Sequence, residues 1–429
     1  MLRASRATPE VTTLAPAALE SSDRARGGNA SAAAGSFPLV ALLTAGRDKP
    51  YALGLAAALV EEDVALDFIA SAGINGPELM SPLVRVFNVR DQREHAGAVA
   101  KMVRVLVYYV RLMWYAASTP APILHILWNN KFEWFDRTLL MLYYRALGKR
   151  LVFTAHNVNA GRRDGTDSWW NRWTLRIQYR LSDHIFVHTE LMQRELRDDF
   201  GAALSRISVI PFGINNTSPK TALTAGAARS ELGLCGTDKV LLFFGNIAPY
   251  KGLEFLIEAF IELSKTDATY RLIIAGKPKD CEAYWAAIRS KVLAAGLTRR
   301  VVEKIDYIPD ERVEVYFKAA DALILPYLHI FQSGVLFLGY SFGLPVIASD
   351  VGSLKEGIVE GRTGFVVPPG DATELARQIR SYFSSPLYQG LERNRSDIQN
   401  FANERFSWRK VGAVTRNCYQ RLAPDCASN

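Results

Sequence analysis

From Phe37 onward the chain alternates short, nearly continuous apolar runs with longer amphipathic ones. "FPLVALLTAG" (37–46) reads as a buried strand ending in glycine, "RDKPYALGLAAALVEEDV" as a loop and helix, and "ALDFIAS" as a second strand. Strand, glycine turn, helix and strand is the rhythm of a parallel sheet. It resumes with "APILHILW", the helix "WFDRTLLMLYYRALGK", the strand "RLVFTAHNV", a further helix, and the strands "DHIFVHT" and "ISVIPFG". Strands this uniformly apolar suit a sheet covered by helices on both faces. Between Asn215 and Asp238 the composition turns to Asn, Thr, Ser, Ala, Gly and Pro, which predicts a linker over 216–237. The rhythm then restarts with "KVLLFFGNI", "LEFLIEAFIELSK", "YRLIIAG", "CEAYWAAIRSKVLAAG", "VVEKIDYI", "ERVEVYFKAA" and "DALILPY". It ends with an apolar helix, "PVIAS", "GFVVPPG" and "DATELARQIRSYF". The reading is α/β, with a first domain over 36–215 and a second over 238–400. A single eight-unit barrel is disfavoured because the linker splits the pattern.

Two amphipathic stretches depart from ordinary packing helices. "KMVRVLVYYVRLMWYAA" (101–117) sets Arg104 and Arg111 beside dense aliphatic and aromatic residues. "SWWNRWTLRIQYRLSD" (168–183) interleaves Trp169, Trp170, Trp173 and Tyr179 with Arg172, Arg176 and Arg180. Basic and aromatic side chains together suit the headgroup boundary of an anionic membrane. The same residues also read as core helices with a solvated basic face. No apolar run is long and uncharged enough to predict a membrane span.

At 429 residues the chain exceeds one core, which agrees with two domains. The formal charge of +8 is uneven: between Arg85 and Asp183 sixteen basic residues face seven acidic ones. That block suggests an anionic partner, whether lipid, phosphate or nucleic acid. Nucleic acid ranks last, since no binding motif accompanies the charge. The four cysteines lack metal-ligand spacing, and no secretory signal is evident, so a cytoplasmic chain without bound metal is expected. Residues 1–35 lack periodicity and read as a disordered extension. Their arginines resemble a transit peptide, but Glu10, Glu20 and Asp23 argue against one.

Candidate chemistry concentrates in loops that follow strands, where doubly wound sheets place ligands. In "FFGNIAPYKGLEFL" a strand ends at Gly245 and Lys251-Gly252 opens a helix, so backbone N–H groups and an ammonium could cradle phosphate. Neither G-x-x-x-x-G-K-[ST] nor G-x-G-x-x-G is present. A solvated helix-start lysine is the plainer alternative. In "IFQSGVLFLGYSFGLPVIASDVGSLKEG", Gln332, Ser333 and Gly334 open an apolar helix. Backbone N–H groups there can receive an anion, while the Ser333 hydroxyl can cap its own helix.

These stretches, in this order, resemble GT-B glycosyltransferases of family four, the retaining "group 1" type. The resemblance rests on "GNIAPYKGLEFLIEAF", "RLIIAGK", "VEKIDYIPDERVEVYFKAADALILPY", "FGLPVIASDVGSLKEGI", "GRTGFVVPPGDATELARQI" and "NERFSWRKVGAVTRNCYQRL". "VFTAHNV", "VHTELMQREL" and "VIPFGIN" agree more weakly. It implies two Rossmann-like doubly wound domains facing a cleft, and a C-terminal segment (401–429) whose helix crosses back to the first. A nucleotide-sugar donor would bind the second domain and an acceptor the first, with no cofactor or metal. Lys251 matches the family's pyrophosphate lysine, and His156 a histidine near the donor sugar, though a plain loop histidine is the alternative. Gly245, Asn246, Gly276, Tyr307, Ile308, Gln332, Ser333, Gly334 and Glu356 would line the donor. Gly46, Arg47 and Glu190 would lie on the acceptor side.

Three departures stand out. The family's arginine before the lysine is absent, its places holding Asn246 and Ala248. The two glutamates of E-x7-E are replaced by Ile330 and Leu338. The leading expectation is a metal-independent, retaining glycosyltransferase at the cytoplasmic membrane face. Its acceptor would be a saccharide or lipid-linked saccharide in polysaccharide or glycolipid biosynthesis. The alternative is a non-catalytic subunit that keeps the fold.

Overall fold

The computed structural model describes residues 38–423, apart from 47, 72–75, 91–97, 164, 215, 217 and 280. The anticipated N-terminal extension and Arg47 lie outside the described residues.

Two parallel sheets carry the chain. The first contains β1 (Val40–Leu43), β2 (Leu66–Ser71), β3 (Val84–Arg90), β4 (Ile123–Ile126), β5 (Arg150–Thr154), β6 (His184–Val187) and β7 (Ile207–Val209). Their order is β3-β2-β1-β4-β5-β6-β7. The second contains β8 (Lys239–Phe244), β9 (Tyr270–Ala275), β10 (Val301–Lys304), β11 (Ala322–Leu325), β12 (Val346–Ser349) and β13 (Gly364–Val367), in the order β10-β9-β8-β11-β12-β13. In each sheet the first strand of the half lies inside and the chain winds outward both ways. β1 pairs with both β2 and β4, Val40 lying opposite Leu66 and Ile123.

Strand side chains alternate between faces. Ala41 and Leu43 enter one apolar cluster and Val40 and Leu42 another. The second cluster is closed by α1 (Lys49–Glu61), the first by α2 (Ala98–Ser118), α3 (Trp169–Leu181) and α4 (Glu190–Phe200). In the second lobe, α5 (Leu253–Thr266) and α6 (Gly334–Ser341) bury Leu256, Phe260, Leu336 and Phe337 in a core of their own.

The last helix, α7 (Trp408–Leu422), returns to the first lobe and packs on α1 through Val411, Cys418 and Tyr419. Small residues make that docking fit. A Cβ on Gly54 or Gly213 would lie 2.2 Å from the Trp408 ring, and one on Gly412 would lie 2.6 Å from the Ala58 carbonyl. Trp408 Nε1 donates to the Ile214 carbonyl at 2.9 Å. His125, fully buried on β4, bridges Tyr419 Oη (2.5 Å) and Thr154 Oγ1 (2.7 Å).

Three elements differ from the sequence expectation. β3 is an edge strand whose Arg85 and Val86 are exposed, so it lacks the apolar run that marked its neighbours. Within the anticipated linker, Ala225–Glu231 is a helix capped by Thr224, with only Ala228 buried. One buried alanine leaves no apolar period to read. Leu391–Arg405 is likewise a mostly polar helix, and it runs across the anticipated boundary at 400.

The helical layer over the first sheet exposes much apolar surface. On α2, Met102, Leu106, Val110 and Trp114 recur every fourth residue on the solvent side, Trp114 being 76% exposed. Trp134, Leu139 and Leu142 continue the patch, as do Trp169 and Trp170 on α3. Tyr143 Oη donates to the Met113 carbonyl, and Arg137 to Asn171, so these helices form one layer. Among the described residues no helix is long and apolar enough to cross a membrane.

Candidate functional site

Parallel pairing sends the carboxyl ends of each sheet's strands to one side, and the loops there build the site. After β8 the backbone turns at Gly245 (φ +93°), and Gly276 after β9 comes so close that a Cβ on it would stand 1.9 Å from the Gly245 carbonyl oxygen. Gly276 is therefore confined to glycine by contact as well as by its φ of +153°. The two loops continue side by side, Ile247 N donating to the Lys277 carbonyl and Lys279 N to the Ile247 carbonyl.

Pro249–Lys251 forms a short 3-10 turn, and Gly252 (φ +62°) starts α5. A Cβ on Gly252 would meet the Pro326 carbonyl at 2.0 Å. That turn places Lys251 inward rather than in solvent: it is 7% exposed, with Nζ 5.4 Å from the centre of the Tyr327 ring. A Cβ on Gly245 would sit 3.2 Å from the same Nζ, so the ammonium lies directly over the glycine turn. Asn246 is exposed beside it. The solvated-lysine alternative does not describe this residue.

α6 opens on the same turn. The Gly245 Cβ position is 3.5 Å from Val335 Cγ2. Ser333 is buried at the N-cap position but its hydroxyl makes no capping hydrogen bond to the helix. The Gln332 side chain accepts from Ser353 Oγ. Tyr307 is exposed and Ile308 buried just past β10, next to the β9 loop, where Gly276 N donates to the Lys304 carbonyl.

Phe212, which follows β7, joins the lobes by stacking on Phe337 of α6 (5.2 Å between centres, 18°). It also lies 3.9 Å from the Cβ position of Gly334. Behind it His156 is stacked on Trp128 (4.3 Å, 4°) and edged by Tyr51. His188 Nδ1 faces the Ile210 carbonyl at 3.3 Å, and its Nε2 faces His156 Nδ1 at 3.0 Å. A carbonyl only accepts, so His188 carries its proton on Nδ1 and accepts at Nε2. His156 must then donate from Nδ1, which leaves its Nε2 as a lone pair; that atom is buried without a hydrogen-bond partner. Burial, reinforced by the neighbouring histidines, holds His156 well below the usual histidine range, so the ring is a neutral acceptor and not a cation.

On the first lobe, Gly46 (φ +68°) follows β1, and Asp48 caps α1 by accepting from Tyr51 N. Glu190 is the first residue of α4. Glu356 is shifted upward by burial and by the Glu190 charge, opposed by Arg194 and Arg405. The structure thus gathers Gly245, Asn246, Lys251, Gly276, Ser333 and Gly334 at one place, with His156 behind Phe212. Glu190 and Glu356 lie apart from that group, within electrostatic range of one another. The sequence reading did not select Tyr51, Trp128, His188 or Phe212, which enclose His156; apolar strand ends give aromatic residues no distinguishing mark. Among the described residues no cluster of metal-ligating side chains is present.

Residues 50–217 match the description "Glycosyltransferase Family 4", and residues 238–385 match "Glycosyl transferases group 1". A D-inositol 3-phosphate glycosyltransferase of Nocardia farcinica is 31% identical over 198 residues, 46% of this chain and 44% of that protein. That of Acidothermus cellulolyticus is 32% identical over 205 residues, 46% of this chain and 45% of the relative. The matched part of this chain thus spans less than half the length of these curated relatives. Sucrose-phosphate synthase from Thermosynechococcus elongatus superposes with a TM-score of 0.70 at 20% identity, covering 90% of this chain and 99% of that one. HepE of Anabaena, solved with UDP-glucose, gives 0.68 at 16% identity, over 90% and 100%. Both solved structures share the two-lobed fold.

Proposed function

From the premise that the chain belongs to glycosyltransferase family four, we propose that it transfers a sugar from a nucleotide-sugar donor to a saccharide or lipid-linked acceptor. The observation that carries this reading is the buried Lys251 ammonium over the Gly245 turn, beside the uncapped start of α6. In the reaction the bond from the anomeric carbon to the diphosphate breaks. A bond from the acceptor hydroxyl oxygen forms, the hydroxyl proton leaves, and a nucleoside diphosphate departs. The charge that grows on the diphosphate needs fixed donors, and preorganised donors of this kind often supply the largest catalytic contribution. Lys251 and the backbone N–H groups at Gly334 and Val335 would supply them, so the reading needs no metal. Glycine at 245 and 276 lets backbone approach the phosphates. Gln332 would reach the transferred sugar once released from Ser353, and Tyr307-Ile308 would border the base. The neutral His156 Nε2 would accept a hydrogen bond from a sugar hydroxyl once Phe212 moves. Retention is the stereochemical outcome expected from the family.

The exposed tryptophans of α2 and α3, flanked by Arg104, Arg111, Arg172 and Arg176, support peripheral contact with an anionic membrane surface, where a lipid-linked acceptor of polysaccharide or glycolipid assembly would be met. The alternative of a non-catalytic subunit draws no support from the related proteins. The test is a screen of UDP- and GDP-sugars with membrane extract as acceptor, followed by anomeric analysis of the product. Release of nucleoside diphosphate with a retained anomeric configuration supports the reading. Turnover of no donor, or inversion, refutes it.

A further inference from the structure

A cavity of about 810 Å³ opens between the lobes, walled by α4 on one side and by the loops after β11 and β12 on the other. Its second-lobe wall is tied to the lysine turn: Leu328 N donates to the Tyr250 carbonyl at 2.8 Å, one residue before Lys251. The same wall runs through Ile330 and Phe331 into the start of α6. The cavity therefore adjoins the place where the diphosphate would sit, on the side of the acceptor lobe.

Its lining has a distinct chemistry. Glu195, Asp198 and Asp199 line it with Arg162 and Arg194, while Leu328, Ile330 and Phe331 offer an apolar wall. Arg162 is drawn to Asp199 at 3.4 Å, and Asp198 is paired with Arg197 at 2.6 Å. Glu195 differs: its side chain is 11% exposed, the nearest guanidinium nitrogen is 3.9 Å away, and Oε1 is buried with no hydrogen-bond partner. Glu190 and Glu356 add negative charge at the edge of the same interface. A buried carboxyl oxygen without a donor is satisfied when a ligand brings an O–H to it. Burial, with Asp199 nearby, pushes the Glu195 carboxyl up to about 7, and in either protonation state it accepts from a hydroxyl.

We propose that this cavity is the acceptor subsite and that it takes an uncharged saccharide ring, with Glu195 accepting from a ring hydroxyl and Phe331 covering a C–H face. The proposal rests on the glycosyltransferase reading above. In the lining three carboxylates (Glu195, Asp198 and Asp199) stand against two guanidinium groups (Arg162 and Arg194), so the cavity carries no cationic excess to receive a phosphorylated acceptor.

The test uses the full chain saturated with UDP and measures binding by saturation-transfer NMR and titration. The probes are a panel of neutral methyl hexopyranosides, the corresponding hexose 6-phosphates, and D-inositol 3-phosphate. Neutral rings are expected to bind at least tenfold tighter than their phosphorylated counterparts. Glu195→Leu, similar in size but without an acceptor oxygen, should weaken the neutral rings about tenfold and leave UDP affinity within twofold, whereas Glu195→Gln, which keeps the acceptor, should bind them within about threefold of the unmodified chain. Glu195→Lys should reverse the preference toward the phosphorylated probes. Equal or tighter binding of the phosphorylated probes by the unmodified chain overturns the proposal. So does neutral-ring binding that is absent or indifferent to Glu195→Leu. Failure of UDP itself to bind refutes instead the glycosyltransferase reading on which the proposal rests.

Discussion

Lys251→Met separates the role of the ammonium from that of its stem. Methionine keeps the unbranched chain that threads between Gly245 and Tyr327, and removes only the charge. A buried ammonium is costly to desolvate, and its attraction to the Tyr327 ring recovers about 0.5–1 kcal/mol at most exposed sites and more where water is excluded. The ammonium's contacts in the folded chain are lost with its desolvation cost, so the protein should stay folded with its thermal midpoint falling by no more than about 4 °C. Nucleotide binding should lose more. A hydrogen bond from an ammonium to a phosphate oxygen is worth about 1.5–3 kcal/mol. Its loss corresponds to roughly a 10- to 160-fold rise in Kd for UDP or GDP.

Calorimetric titration of both proteins with UDP and GDP at two salt concentrations measures this directly. The unmodified chain should also show the steeper salt dependence, because it contributes the extra charge. If Lys251→Met binds the nucleotide within twofold of the unmodified chain while remaining folded, the diphosphate does not sit at the Gly245 turn and the site is misplaced.

Four further outcomes are expected. Gly276→Ala forces a Cβ to within 1.9 Å of the Gly245 carbonyl at a φ of +153°, so it should lower stability by about 2 kcal/mol or more and separate the β8 and β9 loops, seen as a fall in both thermal midpoint and UDP affinity. Trp408→Ala empties the space between Gly54 and Gly213 and deletes the hydrogen bond to Ile214; a loss of about 3–5 kcal/mol in denaturant unfolding is expected. His125 is held at about 3, and His184 and His188 at about 4, chiefly by burial. Because these folded values lie below the unfolded 6.5, their contribution is whole above about pH 6.5 and is lost as pH falls toward 4, at about 1.4 kcal/mol per group per pH unit; thermal midpoints measured from pH 7.5 to 4.5 should drop accordingly. Val110→Asp with Trp114→Asp should abolish co-sedimentation with vesicles containing anionic lipid while leaving UDP affinity unchanged, whereas equal sedimentation would remove α2 from the membrane contact.

Much of the fold was legible because parallel strands covered on both faces must be apolar throughout. Runs such as "LVALL" and "VLLFF" have no other use in a chain of this composition. What escaped was whatever lacked that constraint: the edge strand β3, the helix Ala225–Glu231 with its single buried alanine, and the polar helix Leu391–Arg405. The phosphate end of the site was legible through Gly245, Lys251 and Gly276, since backbone contact and charge restrict residue type. The enclosure of His156 was not, because Tyr51, Trp128, His188 and Phe212 stand 28 to 105 positions away and meet only through the sheet order. Glu195 was hidden for another reason. One glutamate in "ELMQRELRDDF" looks like its neighbours until the opposing lobe covers it.

The replacement of both family carboxylates by Ile330 and Leu338 acquires a physical meaning in this setting. Leu338 is buried and lines a small pocket with Tyr51, Phe212 and Gly334, so that place now presents an apolar side chain and no carboxylate, while Ile330 lines the interlobe cavity as part of an apolar wall. Carboxylates have not vanished from the cleft. Glu195 of α4 lines the wall opposite Ile330, and Glu190, the first residue of α4, lies within electrostatic range of Glu356. Negative charge that would have stood beside the donor now stands on the acceptor lobe, farther from a diphosphate held at Lys251. A carboxylate close to that diphosphate would oppose the charge that Lys251 and α6 stabilise; one across the cleft opposes it less, because the interaction falls with distance. Donors of positive character stand at Gly245, Lys251 and Gly334, while α4 brings the carboxyl of Glu195 to the cavity alongside Arg194. On this arrangement, restoring the family pattern with Ile330→Glu should add charge to a cavity that already holds Glu195 and weaken UDP binding unless Glu195→Gln is made with it. Equal UDP affinity in Ile330→Glu with and without that second change would show that the two walls do not share one electrostatic environment.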